Sequence, residues 1–496
     1  MAAARIVLLS ANNNVLVDAR LLRYMVAADR LGHEAIAIGT TRLGPDEEHQ
    51  VPGGRAIVKR LPGRFVGRGA AARLGAWHRA LAPYALNASP GEARALAAFL
   101  TRPTGGDGTK AAAWARRAHS LGIRALVKAR LAVAGRLAPA ASGKTAAAYG
   151  AAESHERKRA RALAFYRRAP LAARWRIVTP EHIEEELAIG PLLDQLAPDV
   201  IHVHDVYLMG VAAAAAARAG TAGRRVRLVY DAREFVPGLA ATAPRRVAAQ
   251  ANLEREFIGR FERVITVSDS LADRLVAEHR LARRPDLVLN APIAAPRRAG
   301  TPAIRQAAGL ADGARLMVYG GGVNPARGVQ TAIAALAALP KTHLAVVIRQ
   351  TRWMPPELLE LADRLGVADR LHLVPFVDHD QVVSYFESAD LGLSPLLHTV
   401  NHDVALTNKF CEYLAAGLPI VTSDTPEQAR LVRELDLGAV HRAGDAADLA
   451  RAAAETFDRL PELKERIASD AELRRRFSWD AQVPVLERVY REVLAS

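Results

Sequence analysis

Residues 407–424 read TNKFCEYLAAGLPIVTSD. Thr407 and Asn408 are helix-starting residues, and Gly417 with Pro419 stops a helix. IVTS then reads as a short buried strand. A capped helix running through a glycine turn into a buried strand is the repeating joint of a parallel α/β sheet. Lys409 is the residue that does not fit. It falls in the first helical turn, where the helix dipole already disfavours a cation. An anionic ligand at that helix start would remove the conflict, because free backbone N–H groups and the lysine would then act together.

The same rhythm extends outward from this stretch. Upstream, ARLMVYGGG, THLAVVIRQ, RLHLVPFV and LGLSPLL read as strands, and GVQTAIAALAAL reads as a helix. APIAAPRRAGTP (291–302) has the Pro, Ala and Gly content of a linker. Before it lies a second set of elements. ARIVLLS (4–10) is a strand, DARLLRYMVAADRLGH (18–33) a helix and EAIAIGT (34–40) a strand. After a gap come DVIHVHD (199–205), a helix over about 209–219, VRLVYDA (226–232), RVITVSDS (263–270) and DLVLNAP (286–292). The pattern predicts two doubly wound α/β halves. Ligands of such sheets bind beyond the carboxyl ends of the strands, so two halves would place a cleft between those ends. The expected organisation is a first domain over 1–296, a second over 297–477 and a C-terminal helix over 478–496 that packs back on the first.

Residues 60–175 interrupt this rhythm with an Ala/Arg-rich, helix-prone segment. Between Arg55 and Arg176 the chain carries 25 Lys and Arg against 4 Asp and Glu, an excess of 21 positive charges. The whole chain of 496 residues is only +15, so the rest is net acidic. This basic helical insertion is either a solvated surface or a contact with something anionic. The stretch 110–137 interleaves Trp114, Leu121, Leu126, Val127 and Leu131 with Arg117, Arg124 and Lys128, as a helix lying on an anionic membrane surface does. Nucleic acid is not expected, since aromatic interleaving is sparse. No run of eighteen uncharged apolar residues suggests a membrane span. The start, MAAARIVLLS, is too short and strand-like for a signal peptide. The single cysteine, Cys411, excludes a disulfide within one chain and agrees with a cytoplasmic location.

The candidate site residues fall at predicted strand ends. Glu412 lies three positions after Lys409, on the same helix face; there it could accept from a ribose diol, or simply form a surface ion pair with the lysine. VYGGGVNPARG (318–328) follows a strand, so Gly321 and Gly322 let backbone approach a ligand, and Arg327 adds a second cation. His204 and Asp205 end the HVHD strand. Asp18 and Arg20 follow the first strand, and Arg233 and Glu234 follow another.

Taken together, VDARLLRYMVAADRLGHEAIAI, DVIHVHD, LVYDAREFVPG, ERVITVSDSLADRL, VLNAP, VYGGGVNPARG, NKFCEYLAAGLPIVTSDTPE and FSWDAQVPVLERVYREVL resemble the retaining GT-B glycosyltransferases of family four, or group 1. The resemblance covers nearly everything outside 60–175. It implies two Rossmann-like domains facing a central cleft, with a nucleoside diphosphate sugar held mainly by the second. It implies that Glu412 is the second glutamate of an E-x7-E motif and meets the ribose, with Asn408 beside it in an NK-x-x-EY pattern. It implies that Arg327 and Lys409 neutralise the diphosphate and that His204 lies near the donor sugar and acceptor. Asp18, Arg20 and Asp205 are then candidates on the acceptor side. Three positions depart from the pattern. The first glutamate falls at Val404, with Asn401, His402 or Asp403 as possible replacements; a second basic residue falls at Gly321; and the first strand is followed by NNN in place of a Gly-Gly turn.

The implied activity is sugar transfer from a nucleoside diphosphate sugar to an acceptor hydroxyl with retention, in cell-surface polysaccharide, glycolipid or glycoconjugate synthesis. No metal and no cofactor are expected. The acceptor would be a glycan, a lipid-linked molecule or a small molecule. The expected place is the cytoplasm, with peripheral attachment to the inner face of the membrane. A non-catalytic scaffold, which Val404 would suit, and a nucleotide-sugar epimerase are the alternatives.

Overall fold

The computed structural model describes residues 3–10, 13–16, 18–41, 44–61, 165, 174–179, 182–239, 243–293, 295–349 and 354–496. The basic helix expected over 110–137 lies outside the described residues. Two sheets, parallel but for one hairpin, organise the chain. The first contains β1 (Arg5–Leu9), β2 (Glu34–Thr41), β3 (Glu47–Val51), β4 (Gly54–Arg60), β5 (Val200–Val203), β6 (Arg227–Ala232), β7 (Arg263–Thr266) and β8 (Asp286–Leu287), in the order β3-β4-β2-β1-β5-β6-β7-β8. The second contains β9 (Arg315–Gly320), β10 (Thr342–Ile348), β11 (Leu371–Pro375), β12 (Leu391–Ser394), β13 (Ile420–Ser423) and β14 (Gly438–His441), in the order β11-β10-β9-β12-β13-β14.

By its contacts the chain forms two compact units: Met1–Ala232, Ala241–Val264 and Arg491–Ser496, and Arg233–Ala240 with Ile265–Tyr490. In the first unit β1 sits between β2 and β5, pairing Ile6 with Ala35 and with Val200. Its four residues Ile6–Leu9 are fully buried, as expected of a central strand covered on both faces. The β3–β4 hairpin is antiparallel and pairs onto β2. Its first strand, EEHQV, is charged or polar at all but its last residue and lies at a sheet edge, so it carries little hydrophobic signal. The final strand is shorter than the DLVLNAP run suggests, because only Asp286 and Leu287 pair.

In the second unit the two-residue period of β9 divides the core. Leu316 and Val318 pack on one face with Phe410, Tyr413 and Tyr385. Met317 and Tyr319 pack on the other with Val329, Ile333 and Leu449. The connections between strands bring α1 (Ala19–Arg30), α2 (Val329–Ala335), α3 (Asn408–Ala415) and α4 (Pro426–Glu434) to start at carboxyl ends of strands. Among the described residues no helix is long and apolar enough to cross a membrane.

Candidate functional site

Two clusters of polar residues lie at carboxyl ends of strands, one in each unit. In the first unit, His204 follows β5, Asp231 lies near the end of β6, and Arg20 lies in the first turn of α1. Arg20 grips Asp231 through two bonds, Nε to Oδ2 at 2.8 Å and Nη2 to Oδ1 at 2.7 Å. His204 Nδ1 lies 3.0 Å from Asp231 Oδ2. All three are buried, and the Asp231 side chain is 0% exposed. Burial pushes the Asp231 carboxyl up, but the Arg20 guanidinium and then His204 outweigh it and hold it well below the usual carboxylate range. Tyr24 meets the rings of His202 and His204 edge-on, and the two imidazoles stack at 4.7 Å.

Arg20, an acceptor-side candidate in the sequence, is buried and paired with Asp231. Asp18 is the cap of α1, its Oδ1 accepting from the N–H groups of Arg20 and Leu21. Asp205 accepts from the Ser10 hydroxyl at 3.0 Å. His202, His204 and Asp231 bring three ligand-type atoms within 4.8 Å of one another. The Arg20 guanidinium already occupies both Asp231 oxygens with positive charge, so this group fits an ion-pair network better than a metal. Asp231 was missed from the sequence, although it stands two residues before Arg233 in LVYDAREFVPG.

The second unit holds a cavity of about 340 Å³ lined by Gly320, Gly321, Gly322, Arg349, Tyr385, Phe386 and Lys409, among others. Thr407 caps α3, its hydroxyl accepting from Phe410 N at 3.4 Å. Lys409, the second residue of α3, lines the cavity. A Cβ on Gly320 would stand 2.8 Å from Phe386 and 3.1 Å from Lys409 Cδ and Cε, so the lysine lies flat against the end of β9. Lys409 Nζ bonds Glu412 Oε2 at 2.5 Å, and the two side chains are only 22% and 9% exposed. The pair is therefore partly buried, with Lys409 at the cavity, and is not a solvated surface bridge. Tyr413 joins two strand ends, accepting from Gly320 N at 2.9 Å and donating to Leu393 O at 3.2 Å. Tyr413 stands beside Glu412 in the EY pair, a signal the reading of charges passed over. Asn408 is exposed and bonds Asn290; it is not among the residues lining the cavity.

Arg327 ends a short 3-10 turn over Pro325–Arg327. Gly328 follows at φ 72°, and a Cβ there would lie 1.7 Å from Pro395 O. The glycine thus lets the loop after β12 press against the Arg327 turn, where Leu397 N bonds Ala326 O at 2.9 Å. The positive charge of Arg327 reaches Tyr319 and His402. Burial nonetheless pushes the Tyr319 phenol up to about 12. Among the described residues the Arg327 side chain makes no hydrogen bond or ion pair. Val404 contributes its carbonyl, which accepts from the Ser268 hydroxyl.

Comparison with known proteins agrees with this architecture. Residues 123–291 match the profile described as Glycosyltransferase Family 4, and residues 314–459 that of Glycosyl transferases group 1. The chain is 26% identical to the D-inositol 3-phosphate glycosyltransferase of Mycolicibacterium smegmatis, over 49% of this chain and 55% of that protein. It thus spans about half the length of that relative. Its fold matches sucrose-phosphate synthase of Thermosynechococcus elongatus with a TM-score of 0.61 at 14% identity, covering 99% of both chains. Anabaena Alr3699/HepE in complex with UDP and glucose matches at 0.56 and 14% identity, over 99% of this chain and 100% of that one. With one profile ending before β9 and the other starting at it, and with the two-sheet fold shared, the chain belongs to the group 1, or family 4, glycosyltransferases of GT-B fold.

Proposed function

We propose that the protein transfers a glycosyl group from a nucleoside diphosphate sugar to an acceptor hydroxyl, with retention at the anomeric carbon. The observation that carries this reading is the cavity at the end of β9, where a glycine turn meets Lys409, with the unpaired Arg327 following the same strand. Departure of a nucleoside diphosphate builds negative charge on its phosphates. Lys409, held by Glu412 against the end of β9, and Arg327 in the turn that follows stabilise that charge. They supply what a divalent ion would otherwise supply, so we propose no metal or cofactor requirement. We assign to Glu412, bonded to Lys409 one helical turn into α3, the role of accepting from the ribose diol.

The relatives' names make the donor class concrete. HepE holds UDP and glucose, and the M. smegmatis protein is named for an inositol phosphate acceptor. A UDP-sugar is therefore the first donor to test, and a polyol or lipid-linked hydroxyl the first acceptor class, in glycolipid, cell-surface polysaccharide or glycoconjugate synthesis. We place this chemistry in the cytoplasm, at the inner membrane face.

The test is a calorimetric screen of UDP-, GDP-, dTDP- and ADP-sugars on the full chain with EDTA present, followed by transfer assays with anomer assignment by NMR. One nucleotide-sugar class is expected to bind and to be turned over without added metal. Binding without turnover on any acceptor would favour a scaffold. Failure of all four classes to bind would overturn the reading.

A further inference from the structure

The two central strands of the second sheet separate before they end. β9 runs to Gly320 and β12 to Ser394, yet their pairing stops with Val318 opposite Gly392. On their outer sides both go further: β9 pairs β10 through Gly320, and β12 pairs β13 through Ser394. The next rung between them would set Leu393 against Tyr319, and in a parallel ladder Leu393 O would then accept from Gly320 N. The Tyr413 hydroxyl stands in that place. Gly320 N–H can only donate, at 2.9 Å, so the hydroxyl accepts there and its own proton goes to Leu393 O at 3.2 Å. One hydroxyl is thus inserted between two strands that would otherwise bond directly.

The break falls where a ligand is expected. In the order β11-β10-β9-β12-β13-β14 the chain winds one way from β9 and the other way from β12. The crevice beyond the carboxyl ends of such a strand pair is where doubly wound sheets bind. The tyrosine ring needs room of its own. A Cβ on Gly392 would stand 2.3 Å from it, so β12 accommodates the phenol because residue 392 is glycine. Phe386 packs on the same ring, with centroids 5.4 Å apart. Tyr413 lies four residues after Lys409, on the same face of α3. That face meets Gly320 twice, through the Lys409 chain where a Cβ would be and through the Tyr413 hydroxyl on its N–H. Burial pushes the Tyr413 phenol up, so the hydroxyl keeps its proton and both bonds.

We propose that Tyr413 is a positioning residue, whose hydroxyl holds β9 and β12 apart and fixes the Gly320–Gly322 turn against α3 at the spacing the donor's diphosphate requires. This rests on the nucleotide-sugar reading above. Tyr413 is itself fully buried and acts through the glycine turn and Lys409, which line the cavity. Without the hydroxyl, the strands close into the direct bond or leave Gly320 N–H and Leu393 O unmatched. In both cases the turn loses its fixed place beside Lys409.

Tyr413→Phe keeps the ring and removes only the hydroxyl. The probes are UDP, GDP, dTDP and ADP, each titrated against its own nucleoside. In Y413F the diphosphate that wild type takes should bind about tenfold more weakly, while its nucleoside stays within about twofold of wild type. For the matching nucleotide sugar, KM should rise and kcat should fall about tenfold or more. A purely structural hydroxyl would lower the amount of folded enzyme, and so kcat per chain, without moving KM.

Unchanged KM and diphosphate affinity, whatever the melting temperature, overturn the proposal and leave the donor reading standing. Equal weakening of nucleoside and diphosphate does the same. If none of the four diphosphates binds the wild type, the donor reading itself fails and takes this one with it. Should Y413F not fold, a crystal structure of the wild type with its diphosphate decides. Phosphates within hydrogen-bond reach of the Gly321 or Gly322 amide sustain the proposal; phosphates that rest on Lys409 and reach neither amide overturn it.

Discussion

Lys409 and Arg327 differ in what their removal should do. Each is proposed to stabilise phosphate charge, so each alanine variant should lose roughly 2–4 kcal/mol of transition-state stabilisation in steady-state assays. Arg327 has no internal partner among the described residues, so Arg327→Ala should leave the melting temperature near wild type. Lys409→Ala also strips Glu412 of its partner at a side chain only 9% exposed, so a loss of stability should accompany the loss of rate. Near-wild-type turnover in both variants would reject the phosphate site. Asp231 belongs to stability instead. Removing its charge leaves Arg20 buried and unmatched, so Asp231→Asn should cost about 3–5 kcal/mol in urea unfolding. Its folded pKa is depressed, so its contribution is present above the unfolded carboxylate range. That contribution is lost as pH falls through that range toward the lower folded value. Wild type should lose stability on acidification below about pH 4, and D231N should show a shallower slope there; equal slopes would contradict the assignment.

At the scale of elements, the site depends on two turns that place side chains from different strands together. Gly328 holds a left-handed conformation against Pro395 O. A side chain there requires the turn or the loop after β12 to move, so Gly328→Ala should destabilise by about 1–3 kcal/mol and reduce turnover as Arg327 and the 395–406 loop separate. Gly322 makes the contrast. Nothing lies within 4 Å of a Cβ built on it, so Gly322→Ala should melt with wild type. Any loss it shows should be in donor binding, measured by calorimetry. A G322A protein that unfolds early, or a G328A protein indistinguishable from wild type, would mean these turns are not built as described. The cap at Thr407 and the Lys409–Glu412 spacing were legible in the sequence because both are local, set within one helical turn. The partners of Arg20 and His204 were not, because Asp231 is 211 and 27 residues away from them in the chain.

For the whole molecule, the charge of the 55–176 segment is a property of the sequence alone. We expect reversible attachment to anionic bilayers, with each Lys or Arg near the surface contributing about 1 kcal/mol and salt weakening the sum. Co-sedimentation with vesicles of graded anionic lipid content measures it. Sedimentation should rise with anionic lipid, fall with salt and weaken on deletion of 110–137; none at low salt on any mixture would reject the attachment. The family match begins at residue 123, so part of this basic segment lies within the span of the family profile.

Sequence alone determined the two-sheet α/β architecture, because buried parallel strands and their capped helices declare themselves through short-range hydrophobic period and turn residues. It also located Arg327, Lys409 and Glu412, since strand ends and helix starts fix where such residues emerge. Only the tertiary structure decided how the polar residues are shared out. Hydrogen bonds are made with whatever folding brings within about 3 Å, and no spacing in the chain encodes that. Folding therefore turned Arg20 inward to Asp231, gave Asp18 to a helix cap and tied Asn401 to Phe235.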